Sequence, residues 1–275
     1  MATLLLGLLT LCALAVGEAP AAGEASAGAA AAPAPAPARD LFEAWRLAQK
    51  ALATSPDEAA KVYDAFAQAH QESPEAAHAR VLRGIICWRD LKDMKAAEKD
   101  FAQAAAAAGD GLAAQHAVRL GRRWLARVRM TRLARACHSF YIDHVEYPGK
   151  LAQLVDAKLA NAADLADPWG DAFVYEAKEA ALFLGIARQA YTLRSKNMDQ
   201  DASMTAAMLA ETKTAGKDVT LKATTPDEPR KVMVSVKGET LMIELGKTQS
   251  GLTAVAIEDG RVLLCGADYA VVLTR

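Results

Sequence analysis

Metal-ligand spacings, phosphate-binding loops and long apolar runs are all missing from this sequence, and each absence removes a class of function. The chain has four cysteines and none stands in a Cys-x-x-Cys arrangement, so no zinc ribbon or dithiol redox centre follows. No Gly-rich loop is present to cradle a phosphate. The net charge is −1, which gives no electrostatic reason to expect nucleic acid or a membrane surface. The histidines are His70, His78, His116, His138 and His144, and no two of them fall in a known catalytic or metal-binding spacing. Cys137 and His138 are adjacent, and adjacent side chains on a helix diverge by about 100°, too far to form a dyad. Each histidine therefore reads as a residue of a helix surface. With no convergent nucleophile, base or ligand set, the chain is expected not to be an enzyme, and to take neither a cofactor nor a small-molecule substrate.

The longest apolar stretch, Leu4 to Val16, is too short for a membrane span. It is followed by the small residues Gly17 and Ala19, and Ala15 lies two positions before Gly17, so residues 1–17 read as a secretory signal cleaved after Gly17. The leader Met1-Ala2-Thr3 departs from that pattern in carrying no Lys or Arg. Cys12 follows Leu11 rather than a small residue, which argues against lipidation. Residues 18–39 are nearly all Ala, Pro, Gly, Glu and Ser, and they include Pro33-Ala34-Pro35-Ala36-Pro37. Such a segment buries too little apolar surface to offset its ordering entropy, so it reads as a disordered linker. The expected destination is the periplasm. Cys87, Cys137 and Cys265 would remain after processing, and an odd count leaves at least one thiol unpaired.

What is present is 275 residues of 52% hydrophobic composition, enough to bury cores without disulfides. The pattern predicts an α+β chain of several domains. Residues 40–129 read as helical hairpins, with Ser55-Pro56-Asp57-Glu58 and Ser73-Pro74-Glu75 placing a capping Ser before Pro at the first helical position. The word Phe66-Ala67-Gln68-Ala69 recurs as Phe101-Ala102-Gln103-Ala104, a separation close to the roughly 34-residue period of tetratricopeptide repeats.

From Val118 to Val145 the apolar face changes side near Arg129, which fits one long helix serving two cores or two helices with a break. Arg119, Arg122, Arg123, Arg127 and Arg129 read as a solvated face. Residues 130–203 then supply Tyr147-Pro148-Gly149, a short Leu-rich helix, the turn Asp167-Pro168-Trp169-Gly170, and two short strands near Tyr175 and Tyr191. Trp169 is expected to close one end of that core. Residues 204–217 read as a linker, although Met204 to Leu209 could form a helical turn. Residues 218–275 show a period of two between turns such as Asp259-Gly260, and read as a small all-β domain.

The order helix, Tyr147-Pro148, Leu-rich helix, Asp167-Pro168-Trp169-Gly170, strand, Tyr191-Thr192-Leu193-Arg194-Ser195 and acidic loop resembles the globular domain of the type II secretion major pseudopilin, over residues 130–203. The resemblance implies a calcium loop, for which Ser195, Asp199 and Asp201 are the candidate ligands. Asn197 stands where the family has Gly, and the further acids of the loop are missing, so little calcium binding is expected. The chain also lacks the Gly-Phe-Thr-Leu-x-Glu leader and long apolar assembly helix of a filament subunit. The end of the chain, Leu252 to Leu264, is weakly similar to periplasmic β-domains of secretion and pilus-assembly proteins.

Together these features suggest an exported accessory or scaffold protein of a type II secretion-like or type IV pilus-like system. Its expected partners are pseudopilins and a secretin, and it would meet membranes only through them. The alternative is a general periplasmic adaptor that binds envelope proteins or peptides in the helical groove.

Overall fold

The structure is a computed structural model that describes residues 40–183 and 186–275; the expected signal and linker, residues 1–39, lie outside the described residues. Helix formation follows the caps. Asp40, Ser55, Ser73 and Asp93 each accept a backbone N–H three residues on, at 2.7, 3.3, 3.2 and 2.9 Å, which satisfies donors that the first turn leaves open. They start α1 (Leu41–Leu52), α2 (Pro56–Ala69), α3 (Pro74–Arg89) and α4 (Met94–Ala105). Close approach between the later helices depends on glycine. A Cβ on Gly84 would stand 2.6 Å from the Phe101 ring, and one on Gly121 only 2.7 Å from the Ala105 nitrogen.

The next helix, α5, runs unbroken from Leu112 to His144, so the change of apolar face near Arg129 belongs to one continuous helix. Ala117, Leu120, Trp124, Leu125 and Val128 join the core of the helical hairpins. Ala126, Met130, Leu133, Ala136, Cys137 and Phe140 instead join a second core with Leu154, Phe173, Leu193 and Met198. That second core lies between α5, the short helix α6 (Ala152–Asp156) and an antiparallel hairpin of β1 (Val174–Phe183) and β2 (Ile186–Arg194).

Residues 204–217 correct the expected linker. They carry the helix α7 (Thr205–Glu211), and Met208 and Leu209 pack on the helical core. The run Ala206-Ala207-Met208-Leu209-Ala210 is made of strong helix formers, which favours a helix over a flexible connection.

The C-terminal region forms two antiparallel sheets. One contains β3 (Val219–Thr224), β4 (Lys231–Val236) and β5 (Glu239–Glu244); the other contains β6 (Thr248–Gln249), β7 (Leu252–Glu258), β8 (Arg261–Cys265) and β9 (Ala270–Thr274). Alternation splits the second sheet between two cores. Val262, Leu264, Val271 and Leu273 face the first sheet, together with Val232, Val234 and Ile243. Val255, Leu263, Cys265 and Val272 face the helical hairpins. The β region thus supplies the two sheets of a helix–sheet–sheet stack, and the described residues belong to a single compact unit. Among the described residues no helix is long and apolar enough to cross a membrane.

Candidate functional site

The turn Asp167-Pro168-Trp169-Gly170 is organised by its first residue. Asp167 is buried, and its Oδ1 accepts the backbone N–H groups of Trp169 and Asp171, each at 3.0 Å. Gly170 takes φ +94°, a conformation that costs glycine little. The other carboxylate oxygen reaches across to the loop after β2, where it accepts from the Ser195 hydroxyl at 2.5 Å and from Asn197 Nδ2 at 3.0 Å. Asn197 Nδ2 also donates to Asp171 Oδ2 at 3.1 Å, and the Asn197 N–H donates to Ser195 Oγ at 3.0 Å. Burial pushes the Asp167 carboxyl up, but these hydrogen bonds together outweigh it and hold the group below its ordinary value. Asn197 therefore serves as a cross-link between turn and loop.

The three candidate calcium ligands have separate surroundings here. The Ser195 hydroxyl is committed to Asp167, and Asp201 caps the 3-10 turn Ala202–Met204 by accepting from Ser203 N at 2.8 Å and Ser203 Oγ at 2.5 Å. Asp199 is exposed. Among the described residues no group of three or more His, Cys, Asp or Glu is placed to hold a metal ion. Trp169 is half-buried at the edge of the second core rather than a plug within it, while Pro148 is buried beside the partly exposed Tyr147.

Tyr147 belongs to a row that sequence reasoning missed. Tyr141 stacks on Tyr147 at 4.7 Å between ring centroids, Tyr147 meets Tyr191 edge-on at 4.8 Å, and Tyr191 meets Tyr175 at 5.7 Å. The Tyr191 hydroxyl donates to the Ala134 carbonyl on α5 at 3.3 Å, which fixes the row to the helix. Beside it, Ile142 is 65% and Val145 72% exposed. Val145 ends α5 with φ 61°, an unusual conformation for a β-branched residue. Aromatic rings with exposed aliphatic neighbours are the usual material of protein-contact surfaces. The sequence signal was the spacing Tyr141, Tyr147, Tyr175 and Tyr191 on elements that share a core.

The expected solvated arginine face is corrected at three positions. Arg123 and Arg127 both donate to Asp268 Oδ1 at 2.6 Å, Arg127 also reaches Gln200 Oε1 at 2.6 Å, and the Trp124 indole N–H donates to the Asp268 carbonyl at 2.9 Å. Arg129 donates to the Ala166 carbonyl at 2.9 Å. Helical periodicity marked the face as polar, but it could not show that the β8–β9 turn and the loop after β2 close over it.

Two histidines also depart from the expected surface placement. His78 and His116 are buried, and Cys265 Sγ lies 3.7 Å from His78 Nε2. With Nδ1 donating to the Pro74 carbonyl at 3.3 Å, Nε2 is left as an acceptor for the thiol. Burial lowers His78 to about 4 and raises Cys265 to about 12, so both are neutral at ordinary pH and this pair holds no thiolate nucleophile. Cys87, Cys137 and Cys265 are all free and buried.

Comparison with protein families, with characterised proteins and with solved structures finds no match to this chain.

Proposed function

We propose that this chain is an exported, non-enzymatic accessory or scaffold component of a type II secretion-like or type IV pilus-like system, acting through contacts with pseudopilins or a secretin. The observation that carries the reading is the tyrosine row of Tyr141, Tyr147, Tyr175 and Tyr191, with Ile142 and Val145 exposed beside it. Tyrosines held rigidly by stacking offer large amphipathic area at small entropic cost when a partner docks. The resemblance of residues 130–203 to the major pseudopilin names the machinery, and residues 1–17 would direct the chain to it.

The purified chain, used as bait with purified pseudopilin and with the periplasmic part of a secretin, tests this. Capture of either, weakened at least tenfold by Tyr147→Ala with Ile142→Asp, is expected. Retention of neither protein overturns the reading.

A second reading, the general periplasmic adaptor, has its own support. The helical hairpins present α1 and α3 to a cavity that the β region does not fill.

A further inference from the structure

A cavity of about 550 Å³ lies between the helical hairpins and the β region. Its walls come from three directions: Trp45 and Leu52 on α1, Leu82 and Ile85 on α3, and the edge of β9, where Ala270 packs towards the helices and Val271 and Leu273 border the opening. Trp45, Leu52 and Leu82 remain half-exposed, so apolar surface faces the cavity without protein cover. The strap Thr212–Lys217 closes one side. It is pinned at its start by Arg89 Nη1 donating to Thr212 Oγ1 at 3.1 Å. It lies close to β9 because residue 216 is glycine: φ there is +81°, and a Cβ would stand 2.5 Å from Val271 Cγ1.

The polar groups of the cavity are unbalanced. Among the described residues its one lining carboxylate, Asp90, is held by Arg89 at 2.6 Å, with Lys213 at 4.0 Å. Lys213 and Lys217 stand exposed at the opening. Lys213 and Lys217 therefore place two cationic hydrogen-bond donors at the mouth of an otherwise largely apolar cavity. A ligand that completes this site brings an apolar body and hydrogen-bond acceptors carrying negative charge. A volume of this size suits one small molecule.

We infer that the cavity between α1, α3 and β9 binds a single-chain amphipathic anion, with its apolar chain along Trp45, Leu82 and Ile85 and its acidic head at Lys213 and Lys217. The inference stands independently of the secretion reading, because it uses neither the tyrosine row nor the Asp167 turn.

Calorimetric titration of the whole chain with dodecanoate, below its micelle concentration, tests it. Saturable binding of one molecule per chain is expected. Lys213→Glu with Lys217→Glu, at exposed positions that leave the fold intact, should weaken dodecanoate at least tenfold, and dodecyltrimethylammonium should bind the wild type at least tenfold more weakly than dodecanoate does. Leu82→Trp, which fills the cavity from a half-exposed wall, should abolish binding, with an unchanged circular dichroism spectrum as the control. Absence of saturable binding, equal affinity for the two probes, or undiminished binding by Leu82→Trp would each overturn the assignment.

Discussion

Asp268 accepts from two guanidinium groups and so joins α5 to the β8–β9 turn, while Gln200 brings in the loop after β2. Burial raises the Asp268 carboxyl, but the hydrogen bonds and charges of Arg123 and Arg127 more than reverse this and hold it below its ordinary value. Removing the acid would leave Arg127, almost completely buried, with no counter-charge. Asp268→Ala should therefore cost about 3–5 kcal/mol in urea unfolding; a loss below about 1 kcal/mol would mean that solvent already screens the pair. A second residue-scale expectation concerns acid. His78 falls from 6.5 to about 4 on folding, so its contribution is whole above about pH 6.5 and is lost as pH falls towards 4; the lowered His116 acts in the same direction. Asp100 has the opposite sign. Burial raises it from 3.8 to about 6 despite Arg83, so the folded chain gains stability as pH falls from about 6 towards 3.8. The slopes oppose each other, and Asp100→Asn should unmask the histidine term. Its Tm is expected to drop more steeply than wild type between pH 6 and 4.5; parallel curves would show that the Asp100 carboxyl is not raised in the folded chain, and a flat Asp100→Asn curve that His78 is not buried in the neutral form.

At the scale of elements, helix contacts depend on two glycines. Gly121 is buried with the α4 backbone against it, so Gly121→Ala should separate α4 from α5 and cost about 1–3 kcal/mol, read as a lower denaturant midpoint with unchanged slope. At the other end of α5, Val145 occupies the left-handed position that glycine favours. Val145→Gly should gain about 1 kcal/mol, yet weaken capture of pseudopilin or secretin if the exposed isopropyl group is part of the contact. Much of this level was legible. Ser55-Pro56 and Ser73-Pro74 set helix starts through local chemistry, and the drift of apolar residues around α5 near Arg129 marked a change of core, although it left open whether the helix breaks there. What escaped depends on contacts distant in sequence. Arg127 reads as solvated because nothing near it reveals Asp268, which follows 141 positions later. His78 reads as exposed because its burial comes from α3 being covered by α2, α4 and α5 as well as by Cys265. At the candidate site, the turn from Asp167 to Gly170 was legible as a turn. The bond from Asp167 to Ser195 and Asn197, which sets that serine's role, was not.

The whole molecule is layered, whereas the period of two read over residues 218–275 suggested a small β domain of its own. Val262-Leu263-Leu264-Cys265 and Val271-Val272-Leu273 are continuous apolar strings, as strands become when both faces of a sheet are covered. One face lies under β3, β4 and β5; the other lies on the helices. An independent β domain would have to expose Val255, Leu263 and Val272 to water, and burial of each such side chain contributes about 1.5–3 kcal/mol. The helices, without the sheet, would expose His78 and the apolar residues around it. Neither half should therefore persist alone, and the full chain should lose helix, followed by far-ultraviolet circular dichroism, and tryptophan burial, followed by fluorescence, in one coincident thermal transition. A chain ending at Lys217 should be recovered only as aggregate or as a species with little fixed tertiary structure. If residues 218–275 melt separately, or the truncated helical half keeps a sharp transition near that of the full chain, then the contact between sheet and helices is superficial and the regions fold as separate domains. The Asp268 contacts make the cooperative outcome the stronger expectation, since they place a buried charge pair across the same boundary that the apolar face covers.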